Sequence, residues 1–187
     1  MNIVICSGMN KKELTDSFVE QLSNLQAKTD KDELRNILIF PAEGILNLSG
    51  WHILRFLSDR LGNKLESPIV FISFSAGVLG AIAAAQMWQI QGGTVKAFIA
   101  IDGWGVPLFG NFPIHRLSHD HFTHWTSAIL GIGEDNFYAD PPVDHLSMWR
   151  SPQAVQGYWV NQLTRFSHTQ IYLNAFEFLD LILKRYN

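Results

Sequence analysis

A serine flanked by small residues stands at the centre of the segment Ser73–Gly77, between two runs of different character. The run before it, Pro68–Ile72, is apolar and rich in β-branched residues, which is typical of a buried strand. The run after it, Val78–Gln91, is rich in alanine and favours a helix. A tight turn from a strand into a helix presents its central side chain above the end of the sheet. The hydroxyl of Ser75 is therefore placed where a nucleophile is needed.

The turn at Ser75 resembles the nucleophile elbow, G-x-S-x-G, of the α/β-hydrolase superfamily. Gly77 matches the second glycine, whereas Ser73 stands at the position of the first. The resemblance extends over nearly the whole chain and implies a serine hydrolase with a Ser-Asp-His triad and an acyl-enzyme intermediate. The stretch Gly103–Phe112 is too short to hold a lid domain. This implies a small capless esterase that acts on a small ester, thioester or other acyl substrate.

The resemblance also implies which residues complete the triad, because the superfamily keeps the chain order Ser, Asp, His. His145 is the implied general base, since it lies in a loop after the strand-like Phe137–Asp140 and before a helix-favouring segment. Asp120 is the implied acid, since it ends the strand-like Phe112–Asp120, at the usual position of the carboxylate. The base would take the serine proton, and the acid would hold the imidazole in the correct tautomer.

Other aspartates stay open as the acid. Asp102 directly follows the strand-like Ala97–Ile101, from which some lipases of the superfamily draw their acid. Three further candidates lie nearer to His145 and need tighter loop geometry: Asp135, Asp140 and Asp144. Each of these carboxylates can instead be a helix cap, a turn residue or a surface charge.

Two backbone N–H groups are expected to stabilise the negative charge that develops during acyl transfer. In the superfamily one belongs to the residue after the nucleophile, which is Ala76 here, and the other to the loop after the first strand. That loop is Ser7–Asn10, in which Gly8 permits a tight bend and Met9 is expected to supply the second amide. The same loop would also serve as an ordinary turn between a strand and a helix.

A metal-dependent hydrolase is the second hypothesis, because four histidines lie within ten residues of one another. They are His115, His119, His121 and His124. In an extended segment, His119 and His121 point to one side and Asp120 to the other. An Asp120 that belongs to the triad would point away from both rings. We therefore predict that these histidines bind no metal and that activity is indifferent to chelators.

A non-catalytic binding protein is the third hypothesis, since a hydrolase-like fold does not determine function. Three tryptophans follow or flank the proposed strand ends and could line an apolar pocket: Trp104, Trp125 and Trp149. The segments Gly103–Gly105 and Gly131–Gly133 lack the third glycine and the strand–helix context of a phosphate-binding loop. No nucleotide cofactor, and no other cofactor, is therefore expected.

The rest of the chain predicts strands that alternate with helices. In four runs the residues that would face either side of a sheet are apolar, which indicates strands buried on both faces of a parallel sheet. These runs are Ile3–Cys6, Ile37–Phe40, Ile69–Phe74 and Ala97–Ile101. Near the C-terminus, Ser151 and Pro152 favour a helix start, and Ser167 with Gln170 predicts a capping box before a final helix, Ile171–Leu183. The predicted fold is a three-layer α/β/α sandwich with a mostly parallel sheet of about six strands.

Composition limits the remaining possibilities. The 187 residues predict a single domain, 1–187, without a separate lid domain. A formal charge of −3 gives no reason to expect nucleic acid or an anionic membrane as a partner, so the expected partner is a small acyl substrate. Cys6 is the only cysteine, and no leader or membrane-spanning run of ~20 apolar residues is evident, which predicts a cytoplasmic protein. The sequence does not indicate an oligomeric state.

Overall fold

The computed structural model of the protein describes residues 1–29, 36–41, 44–62, 65–161 and 171–186. Its strands are β1 (Asn2–Cys6), β2 (Asn36–Ile39), β3 (Ile69–Phe74), β4 (Val95–Ile101), β5 (Ile114–Ser118), β6 (Asp135–Ala139), β7 (Gln156–Asn161) and β8 (Ile171–Asn174). They form one mixed sheet in the order β2-β1-β3-β4-β5-β6-β7-β8. The first six strands pair in parallel, whereas β7 is antiparallel to both β6 and β8.

Helices connect the strands. They are α1 (Lys12–Thr29), α2 (Gly50–Leu61), α3 (Gly77–Ile90), α4 (His121–Ala128), α5 (Ser147–Arg150) and α6 (Ala175–Arg185), with short 3₁₀ segments at Gly44–Leu48 and Pro152–Ala154. From β1 the chain first adds β2 on one side and then crosses to add β3 on the other side of β1. All later strands are added beyond β3, so the direction in which strands are added changes between β1 and β3. None of the described helices is both long and apolar enough to cross a membrane.

Alternate residues of the central strands belong to two different apolar clusters. Ile3 and Ile5 of β1 pack in a cluster that includes side chains of α1 and α6. Val4 and Cys6 pack in a second cluster, with side chains of α2 and α3. Burial on both faces explains the continuous apolar runs of β1, β3 and β4, whereas the edge strand β2 is only half-buried or exposed, so the burial predicted for it is wrong. The structure confirms these four runs as the strands β1 to β4.

Within the described ranges the sheet has eight strands, more than the predicted number of about six. The two strands that were not predicted are β7 and β8, which follow β6 at the antiparallel edge. Most residues of β7 are only half-buried, and two of the four residues of β8 are exposed. β7 includes Gln156, Gly157 and Asn161 and so lacks a continuous apolar run, whereas Ile171–Leu173 of β8 was assigned to the predicted final helix.

The C-terminal region also differs from the prediction. The final helix begins at Ala175 rather than Ile171, because Ile171–Asn174 forms β8. Its capping box consists of Asn174 and Glu177: the Glu177 N–H donates to Asn174 Oδ1 at 2.8 Å, and the Asn174 N–H donates to a carboxylate oxygen of Glu177 at 2.9 Å. Ser167 and Gln170 lie outside the described residues. The predicted helix after Ser151 is a 3₁₀ segment of three residues.

His115 is a fully buried histidine on β5. Its Nε2 lies 2.9 Å from the hydroxyl oxygen of Tyr186, whereas its Nδ1 lies 3.6 Å from Asp135 Oδ2, too far for a hydrogen bond. The Asp135 carboxylate instead accepts from Arg185 and, at 2.8 Å, from Trp159 Nε1. Burial, reinforced by the charge of Arg185 and opposed by that of Asp135, lowers the pKa of His115 to about 4. The imidazole is therefore neutral in the folded protein at neutral pH.

We expect the protein to lose stability as the pH falls from about 6.5 towards about 4, because the unfolded chain protonates His115 in this range and the folded chain does not. The loss attributable to His115 is on the order of 3 kcal/mol. Urea unfolding at several pH values measures it. A His115→Gln variant should show a flatter dependence on pH, and an equally steep dependence in that variant would contradict the assignment to His115.

Candidate active site

Ser75 lies between the last residue of β3 and the first of α3, as the strand–turn–helix pattern predicted. Its φ of +53° is left-handed, which costs a residue with a side chain roughly 1–3 kcal/mol. The backbone N–H of Ser75 donates to the Ile101 carbonyl of β4 at 2.9 Å and so anchors the turn. Ser73, which replaces the first glycine of the elbow pattern, is buried, and its hydroxyl lies 3.4 Å from the Ile99 carbonyl oxygen.

Two glycines allow the loop after β1 to contact this turn. A Cβ on Gly77 would lie 2.1 Å from the carbonyl oxygen of Ser7, so a side chain at this position would force the loop away. A Cβ on Gly8 would lie 2.8 Å from Ser75 Cβ and 3.3 Å from Ser75 Oγ. The backbone of the loop therefore passes directly beside the serine hydroxyl.

His145 lies in the loop between β6 and α5, and its Nε2 is 2.9 Å from Ser75 Oγ. Its ring stacks on Phe74 with a centroid separation of 4.7 Å. Phe74 in turn stacks on the buried Trp149 at 5.0 Å. This column of rings fixes the plane of the imidazole from the core side, while 40% of the His145 side chain stays exposed. Trp149, which was considered as a pocket residue, is thus part of the core.

Asp102 directly follows β4 and brings its carboxylate to His145, with 2.8 Å between Oδ2 and Nδ1. Its side chain is only 1% exposed. Burial opposes ionisation of this carboxyl, but hydrogen bonds from His119 and His145 outweigh it and lower the pKa of Asp102 below its usual value. An ionised Asp102 accepts the Nδ1–H of His145. The neutral ring then carries a lone pair on Nε2 that can accept the Ser75 hydroxyl proton.

A second histidine, His119, contacts the same carboxylate. Its Nδ1 lies 2.9 Å from Asp102 Oδ2, and its backbone N–H donates to Asp102 Oδ1, also at 2.9 Å. The hydrogen bond to Asp102 raises the pKa of His119 above its ordinary value. His119 was predicted only as a possible metal ligand. Its place beside Asp102 follows from the pairing of β4 with β5, because each residue lies just beyond the end of its strand.

The structure places Asp120, the implied acid, away from His145. Asp120 is the N-cap of α4, and its Oδ1 accepts the Thr123 N–H at 2.6 Å. Because β5 ends at Ser118, the strand alternation predicted for His119 and Asp120 does not apply, and His119 Nε2 lies 3.5 Å from Asp120 Oδ2. The carboxylate that lies against His145 is that of Asp102, the alternative acid. Of the other candidates, Asp135 is held by Arg185 and Trp159, and Asp140 and Asp144 are exposed.

The four histidines of the second hypothesis separate in space. His115 is buried against Tyr186, as described above. His121 and His124 both contact the ring of Tyr138, with centroid separations of 5.0 Å and 5.3 Å. Only His119 among the four joins Asp102 and His145. The three side chains Asp102, His119 and His145 each offer one ligand atom, and these atoms lie within 4.8 Å of one another.

The two residues expected to donate N–H groups are Ala76, which follows Ser75 directly, and Met9, which follows Gly8 in the loop beside Ser75. Ala76 has helical backbone angles and is the N-cap residue of α3, and the first N–H groups of a helix lack acceptors within it. The side chain of Met9 is exposed. The N-terminal end of α3 also favours negative charge near the serine.

A cavity of about 430 Å³ opens beside the loop after β1, at the carboxyl ends of β1 and β2. Ser7 and Asn10 of the loop line one side of it, together with Lys12 of α1. The end of β2 lines the other side, with Phe40 and Pro41. The cavity therefore lies at the same edge of the sheet as Ser75 and combines polar with apolar walls.

No known family model matches the chain, and no curated protein sequence is significantly similar to it.

The carboxylate that acts with His145 is identified by a matched pair of variants. We expect Asp102→Asn to lower the reactivity of Ser75 by orders of magnitude, because an amide cannot favour the same His145 tautomer or balance an imidazolium charge. Asp120→Asn should change this reactivity by no more than a few-fold, because asparagine also caps helices. The rate of Ser75 modification by a fluorophosphonate measures both effects. The reverse order of the two variants would restore Asp120 as the acid.

Proposed function

We propose that the protein is a serine hydrolase of the α/β-hydrolase type, with Ser75 as the nucleophile, His145 as the general base and Asp102 as the acid. The observation that carries the proposal is the chain of contacts from Ser75 Oγ to His145 Nε2, 2.9 Å, and from His145 Nδ1 to Asp102 Oδ2, 2.8 Å. In a Ser-His-Asp triad, the histidine takes the hydroxyl proton across the first contact, and the carboxylate stabilises the resulting imidazolium across the second. The three residues also follow one another in the order that the superfamily uses.

The fold of the described residues supports this proposal. Apolar clusters lie on both faces of the mostly parallel sheet, which fits the three-layer sandwich of a hydrolase. Ser75 and Asp102 follow β3 and β4 directly, and ligands of such sheets bind beyond the carboxyl ends of the strands. The short connection between β4 and β5 leaves no room for a lid domain. The exposed edge of His145 is consistent with an open site for a small ester, thioester or other acyl substrate.

The proposed reaction has two steps. In the first, Ser75 Oγ bonds to the acyl carbon while His145 Nε2 takes the hydroxyl proton, and the imidazolium then gives this proton to the departing alcohol or thiol. In the second, His145 takes a proton from a water molecule whose oxygen attacks the acyl-serine, and it returns that proton to Ser75 Oγ as the acid leaves. The N–H groups of Ala76 and Met9 would hold the negative oxygen in each step.

We expect Ser75→Ala to abolish labelling by a fluorophosphonate probe and to reduce turnover of p-nitrophenyl acetate by about 10³-fold or more, because the atom that forms the acyl bond is removed. Ser73→Ala is the matched control, since its hydroxyl is buried two residues away and points to the Ile99 carbonyl. That variant should keep both labelling and turnover. Labelling that persists in Ser75→Ala would remove the proposal.

A metal-dependent hydrolase is a second candidate with a ligand set other than the four predicted histidines, because the ligand atoms of Asp102, His119 and His145 lie close enough together to bind one ion. Nδ1 of each histidine would then bind the metal instead of donating to Asp102. Under the main proposal, we expect probe labelling and turnover to be unchanged by EDTA. Activity that is lost on chelation and recovered with added Zn²⁺, together with near-stoichiometric metal in the purified protein, would favour the second candidate.

A further inference from the structure

The carboxylate of Asp102 accepts three hydrogen bonds, and two of them come from His119. The backbone N–H of His119 donates to Oδ1 and its Nδ1–H to Oδ2, both at 2.9 Å, while His145 donates to Oδ2 at 2.8 Å. His119 therefore contacts both carboxylate oxygens, whereas His145 contacts only one. A carboxylate held on both oxygens cannot rotate about its Cβ–Cγ bond without breaking a hydrogen bond.

Solvent cannot replace these contacts, because the Asp102 side chain is 1% exposed. A buried carboxylate that loses a donor keeps the cost of desolvation without its compensation. The hydrogen bonds from His119 and His145 are also what lower the pKa of Asp102 against the effect of burial. The ring of His119 thus supports the ionised state and the orientation of Asp102 together.

His119 is itself held in place on several sides. Its Nε2 faces Asp120 Oδ2 at 3.5 Å, and its ring meets that of His145 edge-on, with centroids 6.0 Å apart. Its carbonyl accepts the N–H of Val143 at 3.0 Å, two residues before His145. The loop that carries His145 is therefore attached to the residue whose ring holds Asp102.

We propose that His119 is a positioning residue of this site: it holds both oxygens of Asp102 so that Oδ2 meets Nδ1 of His145. The inference rests on the proposed function and adds to it a residue that acts through Asp102. Three variants keep the backbone N–H and differ at the ring position. Asparagine places an amide N–H near the position of Nδ1, glutamine places one near that of Nε2, and leucine has none.

We expect kcat for p-nitrophenyl acetate to fall about tenfold or more in His119→Leu and His119→Gln, because misplacement of a triad member slows the chemical step. KM should change by less than about twofold, since His119 acts on orientation rather than on substrate binding. His119→Asn should recover most of the lost kcat. Steady-state measurement of kcat and KM for the unchanged protein and the three His119 variants tests these expectations.

Proton NMR gives a second readout that needs no turnover. The Nδ1 proton of His145, bonded to Asp102, should give a downfield signal, assigned by its loss in His145→Gln. We expect this signal to broaden or move upfield in His119→Leu and His119→Gln and to return in His119→Asn. A merely structural role of His119 would lower the unfolding temperature without this dependence on where the donor lies.

Unchanged kcat and an unchanged His145 signal in His119→Leu and His119→Gln would overturn the positioning role. Equal recovery by asparagine and glutamine would also overturn it, because the location of the donor would then be irrelevant. If the leucine variant does not fold, the comparison of asparagine with glutamine decides. A His145 signal that depends on His119, in a protein with neither labelling nor turnover, would support the positioning role and remove only the proposed function.

Discussion

The carboxyl ends of β3, β4 and β5 lie level with one another, and the candidate site depends on this alignment. Phe74 pairs with Ile101, and Ile101 pairs with Leu117, across the three neighbouring strands. The residue that follows β3 and the residue that follows β4 each hydrogen-bond to the next strand. The Ser75 N–H donates to the Ile101 carbonyl at 2.9 Å, and the Asp102 N–H donates to the Leu117 carbonyl at 2.8 Å. The parallel register thus brings a serine and a carboxylate side by side before any contact between their side chains.

Ser75 and Asp102 also share a strained backbone, with φ of +53° and +52°. Such conformations persist only where the surrounding structure over-determines them. For Ser75 the constraint comes from Gly77, which allows α3 to start against the loop after β1. For Asp102 it comes from the hydrogen bonds on its carboxylate and from Gly103, where a Cβ would lie 2.7 Å from a methyl group of Val78. Two strained turns on adjacent strands are a cost to stability that the apolar clusters on both faces of the sheet must offset.

The central strands and the turn at Ser75 could be predicted because their signals are local: continuous apolar runs, then small residues, then a helix-favouring run. The antiparallel edge could not, since polar residues interrupt β7 and the apolar residues of β8 run directly into the sequence of α6. The capping box of α6, formed by Asn174 and Glu177, was not predicted, because Ile171–Asn174 was assigned to the helix itself. The acid was also ambiguous. Asp102 and Asp120 each follow a strand, and only the fold shows that Asp120 caps α4 while Asp102 lies against His145.

The difference in burial between these two aspartates explains why Asp102 suits a histidine partner better. A carboxylate that is 25% exposed, as Asp120 is, interacts with a neighbouring imidazolium through a solvent-like dielectric, whereas Asp102 is shielded from water. The N–H of Thr123 already uses one oxygen of Asp120. Burial would make Asp102 costly to ionise on its own, and the donors around it remove that cost. The hydrogen bonds that keep Asp102 charged therefore also orient its carboxylate. One group of hydrogen bonds thus sets both the electrostatics and the geometry of this site.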